Sequence, residues 1–246
     1  MAENLLGVAP SASTVSRLNQ TLTEQYEVWR ERSLQAHYRV VYLDGIHFPV
    51  RHGSKTEATM ILTALGVDLE GSREVLALRA SAEESKEGWS ALLQDLRTRG
   101  VSQMDLIVTD GHEGLLAAVA DLFAATLRQR CLVHKQRNVM SAIPKREQQE
   151  VATELSGIFK QEKREEALLN LAASTRQIPE ALSRGRWQPL RRRRALPHVL
   201  CLPPVMHRYI RSTNAIESLL SNGRQRTDQI DVFTTEMCFA RHYCLH

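Results

Sequence analysis

Apolar positions recur along this chain at two periods, and each change of period marks an element. From Leu22 to Leu34, Leu22, Tyr26 and Trp29 share one helical face, which predicts an amphipathic connector helix. Ser11 precedes small and hydroxylated residues as far as Leu18, which predicts a short capped helix of the kind helix-turn-helix units use on DNA, continued by the connector. Arg39–Leu43 (RVVYL) and Ile46–Val50 (IHFPV) are β-rich runs around Asp44-Gly45, a pair that local rules read as a two-residue hairpin turn. Thr59–Val67 and Glu74–Ala80 predict two further strands with a turn over Asp68–Ser72. A helix is expected over Lys86–Arg99 through Trp89, Leu92, Leu93 and Leu96, ended by Gly100. Met104–Thr109 is an apolar run of strand length, Glu113–Ala125 returns to helical spacing, and Leu127–Val133 predicts the next strand.

Three strands, helix, strand, helix, strand is the element order of a ribonuclease-H-like core. The fold class expected is therefore α/β, a mixed sheet in which the first strand lies beside the strand that comes after the first helix. On that layout Asp44 and Asp110 end on neighbouring strands. Asp110-Gly111 stops its strand, so the carboxylate stands at a strand's C-terminal end, where open α/β sheets bind ligands. A bland role exists for each acid: Asp110 as a helix N-cap, Asp44 as a turn residue.

From Lys145 to Ala173 both signs of charge alternate around Val151, Leu155, Ile158, Phe159, Leu168 and Leu171, predicting two amphipathic helices in an inserted all-α region. Five prolines from Pro179 to Pro204 break any continuous helix there, and Thr213–Gln225 resumes helical spacing with Ile216, Leu219 and Leu220 as its stripe. Glu217 stands three residues after Asn214, an arrangement that also fits a capping box.

Composition narrows the class. The chain has 246 residues, 43% of them hydrophobic, enough for a globular core. No apolar run reaches the ~18 residues of a membrane span and the start MAENLLGVAP is unlike a signal peptide, so no membrane partner and a cytoplasmic protein, held to the nucleoid through DNA, are expected. Four cysteines in a chain of this length make reduced thiols the default. Net charge is only +4, yet between Glu180 and Glu217 no acid occurs while Arg184, Arg186, Arg191, Arg192, Arg193, Arg194, Arg208 and Arg211 all do. A polyanion is the natural partner. Cys131 and His134, spaced CxxH, are open to three readings: a wall beside Asp110, a buried thiol and histidine, or half of a zinc site with Cys201 and His207.

YLDG at 42–45, TDGHEGL at 109–115, QRCLVHKQRNV at 129–139 and RSTNAIES at 211–218 together resemble the bacterial Mutator-type insertion-sequence transposases. That family uses a DDE triad on a ribonuclease-H-like fold. The resemblance makes Asp44, Asp110 and Glu217 the catalytic acids and metal ligands. It implies two divalent cations about 4 Å apart, Mg²⁺ or Mn²⁺ in its place, supporting in-line displacement at phosphorus. It implies strand cleavage at element ends, then transfer to target DNA, by a homo-oligomer. Arg191, Arg192, Arg193, Arg194, Arg224 and Arg226 are expected on DNA phosphates, with Cys131 and His134 supporting the site. The expected layout is 1–37 as the remnant of a helical DNA-binding region with its connector, 38–144 as the first part of the core, 145–210 as the helical insertion with its basic stretch, and 211–246 as C-terminal helices carrying Glu217. The short region before the core leaves a second reading, a truncated, non-catalytic DNA-binding relative that inhibits a full-length transposase.

Overall fold

The computed structural model describes residues 11–52, 55–131, 144–146, 148–149 and 152–153. Helix α1 spans Ala12–Glu31 and leads into β1 (His37–His52), β2 (Lys55–Val67) and β3 (Arg73–Ser81). Helix α2 (Lys86–Thr98), β4 (Gln103–Thr109), α3 (Glu113–Leu122) and β5 (Leu127–Arg130) complete the order. The five strands form one sheet in the order β3-β2-β1-β4-β5. β1 runs antiparallel to β2, and β2 to β3, whereas β4 is parallel to β1 and β5 to β4. This is the expected ribonuclease-H-like core, a mixed α/β sheet.

Helices α2 and α3 cover one face. Trp89, Leu92, Leu93 and Leu96 of α2 and Leu115, Ala118 and Val119 of α3 pack on Val41, Leu43, Met60, Leu62, Ala64 and Ile107 in a single apolar cluster. Strand alternation sends Val40 and Tyr42 of β1, and Leu106 and Val108 of β4, to the opposite face, and these are buried as well. A strand whose two faces are both covered reads as a continuous apolar run, which is why RVVYL and MDLIVT stand out in the sequence. The helices begin and end by local chemistry. Ser85 Oγ accepts the Gly88 N–H at the start of α2, and Gly100, at φ +117°, lies just beyond its end.

Two expectations are overturned. Asp44-Gly45 is no turn: β1 runs straight through it, with Asp44 opposite Thr63 and Gly45 opposite Leu62 on β2. A two-residue type I′ turn needs positive φ at both central positions, and among the described residues only Gly71, Gly100 and Gly111 have it. The runs on either side of the pair both find partners along one 13-residue strand, so an unbroken ladder wins over the local turn signal. Secondly, the helix that Ser11 caps is not short. Ser11 does cap, accepting the Thr14 N–H at 3.2 Å, but α1 is one helix of 20 residues. Nothing between Leu18 and Leu22 breaks it, and the hydroxyls of Thr21 and Thr23 bond back to the carbonyls of Arg17 and Asn19. Leu18 and Leu22 are exposed and Tyr26 is buried, so only the second half of α1 meets the core. There Arg32 lies over the Trp29 ring, 4.7 Å from its centroid, and donates to Glu74 Oε2 and the Val75 carbonyl.

The expected helical insertion over 145–210, apart from residues 145, 146, 148, 149, 152 and 153, and the expected C-terminal helices over 211–246 lie outside the described residues.

Candidate active site

Parallel pairing of β1 with β4 keeps a constant offset, from His37 with Gln103 to Tyr42 with Val108. Two residues beyond this last pair stand Asp44, still within β1, and Asp110, the residue after the end of β4. Each side chain is half-buried. By strand alternation Asp44 shares the face of Tyr42, opposite the one covered by α2 and α3. Tyr42 itself is pushed up to about 12, mainly by burial, and is a neutral hydroxyl under this ledge. The strands expected to be neighbours from element order are neighbours, paired as far as Tyr42 and Val108.

Asp110 leaves the sheet in a tight turn. Its Oδ1 accepts the His112 N–H at 2.9 Å and Thr109 Oγ1 accepts the Gly111 N–H at 3.0 Å. Gly111 has φ +93°, a region other residues rarely adopt. A Cβ there would also stand 2.7 Å from Nε of Arg130. Arg130, the last residue of β5, lies across this glycine and donates from Nε to the Asp110 carbonyl at 2.7 Å. The N-cap position of α3 is taken by His112, with no side-chain cap, so Asp110 is not the cap that its sequence setting allowed. It accepts a backbone N–H two residues on, an Asx turn.

A second group of polar residues lies on the α2 side of the sheet and was not singled out from sequence. Glu84 Oε1 accepts Trp89 Nε1–H at 3.1 Å and lies 3.7 Å from His112 Nδ1. Its carboxyl carbon would be 3.6 Å from a Cβ on Gly45, the residue after Asp44. His112 falls inside the TDGHEGL motif, but Glu84 sits among the acids of SAEESKE with no local cue to set it apart.

Cys131 is a buried thiol whose N–H donates to the Thr109 carbonyl at 2.6 Å, directly beside Asp110. His134, Glu217, Arg191, Arg192, Arg193, Arg194, Arg224 and Arg226 lie outside the described residues, as do Cys201 and His207. Among the described residues no group of three or more His, Cys, Asp or Glu side chains could hold a metal ion. Asp44 and Asp110 nevertheless supply the hard carboxylate oxygens that Mg²⁺ prefers, and Asp110 Oδ2 takes no hydrogen bond among the described residues. The donor chemistry fits a divalent cation. A cleft of about 900 Å³, lined by Tyr26, Trp29, Leu78 and Arg99 among others, opens elsewhere, between α1 and the β3 edge. No helix among the described residues is long and apolar enough to cross a membrane.

The model of a family described as "Transposase, Mutator family" matches residues 1–244. A transposase for insertion sequence element ISRM5 from Rhizobium meliloti (strain 1021) is 31% identical, over 97% of this chain and 60% of its own. A transposase for insertion sequence element IS905 from Lactococcus lactis subsp. lactis (strain IL1403) is 30% identical, over 98% of this chain and 61% of its own. The chain thus spans about three-fifths of the length of these relatives. Among solved structures, a chain from a simian T-cell lymphotropic virus intasome complex is similar at a TM-score of 0.27 and 18% identity, over 63% of this chain and 49% of that one, too slight a likeness to bear on function.

Proposed function

Because this chain belongs to the Mutator family of transposases, we propose that it carries out metal-dependent DNA strand cleavage and strand transfer in the transposition of an insertion sequence. The observation that carries the proposal, beside the family match, is the parallel pairing of β1 with β4, whose last pair, Tyr42 with Val108, lies two residues before Asp44 and Asp110. Two carboxylates that follow neighbouring strands offer the hard oxygen ligands that a divalent cation takes. Asp44 and Asp110, with Glu217 as third ligand, would hold two divalent cations, Mg²⁺ or Mn²⁺. When bound, such ions activate the attacking oxygen and stabilise the leaving one at a phosphodiester.

The chain's own residues do the rest. The Asx turn fixes one oxygen of Asp110 on the His112 N–H and leaves the other for the metal. β1 continues past Asp44 into the ladder with β2, so the first ligand is set on a rigid strand rather than a loop. Cys131 and His134 support the wall beside Asp110. Arg191, Arg192, Arg193, Arg194, Arg224 and Arg226 hold DNA through its phosphates, a salt-sensitive and largely sequence-independent attachment. The DNA partners are element ends and target, and holding two ends together calls for a homo-oligomer.

Nicking of plasmid DNA in Mg²⁺ tests this reading, with Asp44→Asn and Asp110→Asn as comparisons. Wild type should nick and both variants should lose at least about a hundredfold in rate. Cutting that survives either substitution contradicts the proposal. DNA binding without cutting by all three would leave a DNA-binding protein in place of an enzyme.

A further inference from the structure

We propose that Arg130 contacts a DNA phosphate at this site, an assignment that rests on the proposed transposase function. Three arginines of the described core are engaged with acids: Arg30 with Glu27, Arg32 with Glu74, Arg99 with Asp95. Arg130 is exposed, and its side chain makes one hydrogen bond among the described residues, from Nε to a neutral acceptor, the Asp110 carbonyl. No carboxylate among the described residues pairs with it, and its two terminal nitrogens have no acceptor there. The Nε bond and the contact across Gly111 fix the plane of the guanidinium. What remains is a forked pair of N–H donors held at the rim of an acidic ledge, the geometry that matches two oxygens of one phosphate. A cationic side chain with no acid partner among the described residues, held on the Asp110 turn, also attracts an approaching polyanion.

A purely structural role is the alternative: Arg130 would then only brace the Asp110 turn. Salt dependence separates the two, because each phosphate contact adds about 0.9 to the slope of log K against log salt and a brace adds nothing. The probe is a fluorescein-labelled random-sequence duplex, bound by the full chain in EDTA across a salt series. Arg130→Gln should bind about tenfold more weakly, with a slope about 0.9 smaller. Arg39→Gln is the comparison, since Arg39 makes the same kind of bond, Nε to the Leu69 carbonyl at 2.9 Å, near the start of β1. That variant should match wild type. Arg130→Lys keeps the charge without the fork and should retain the slope at intermediate affinity; if Arg130→Gln does not fold, wild-type affinity in Arg130→Lys overturns the assignment. An Arg130→Gln slope equal to wild type, or an equal loss in Arg39→Gln, overturns it too. Absence of any salt-dependent binding by wild type instead rejects the transposase function, so the two failures are distinct.

Discussion

At the scale of single residues, Gly111 shows how tightly the turn after β4 is specified. It has positive φ and no room for a side chain, because Arg130 occupies that space. Gly71 also has positive φ, +94°, but nothing lies within 4 Å of its missing Cβ. Gly71→Ala should therefore cost only the backbone strain, about 1 kcal/mol, and Gly111→Ala more, up to about 3 kcal/mol, because Arg130 must also move. Urea unfolding of the two variants measures the difference; equal losses would mean that Arg130 yields its place freely. The sequence announces Asp110-Gly111 as a stop, but the tie to Arg130 is a contact between residues distant along the chain, and no local pattern records it. Tyrosines give a second prediction. Tyr38 and Tyr42 are each pushed up to about 12 from 10.0, chiefly by burial, with the Glu74 hydrogen bond adding at Tyr38. A raised pKa means that the folded state holds the proton which the unfolded state gives up. The stabilisation is complete below pH 10.0 and is lost as pH rises toward about 12. Urea midpoints should fall over that window, and Tyr42→Phe should make the fall shallower. A midpoint independent of pH there would exclude the linkage.

Among elements, those with strong periodicity were legible and those that depend on partners were not. α2 could be read from Trp89, Leu92, Leu93 and Leu96, whose spacing is the buried stripe itself. β1 could not be read as one strand. Its middle carries Asp44-Gly45, and only the ladder to β2 keeps it extended. The first half of α1 looked short because Leu18 and Leu22 stay exposed and only Tyr26 and Trp29 further on meet other elements. The α2–α3 seam gives the prediction proper to this scale. Glu84 Oε1 holds Trp89 Nε1–H, and Trp89 is fully buried. Glu84→Ala leaves that indole N–H without an acceptor and should cost about 1–3 kcal/mol. In a Trp89→Phe background, where no N–H needs satisfying, the same substitution should cost much less. Undiminished loss in that background would show that Glu84 acts through another contact.

For the whole molecule, the informative feature is that parallel pairing, not sequence proximity, sets the strands leading to Asp44 and Asp110 side by side. Element order alone was enough to place the two strands side by side, so this adjacency was readable from the chain. The residues that only long-range packing recruits, Glu84 and Arg130, were not. The central claim is that Asp44 and Asp110 hold divalent cation together, and its most direct test is a calorimetric Mn²⁺ titration of wild type, Asp44→Asn, Asp110→Asn and the double variant. If the pair acts as one ligand set, each single substitution weakens binding by at least about tenfold and the double variant loses little more than either. Wild-type Mn²⁺ affinity in either single variant, with its fold intact by circular dichroism, would contradict the account.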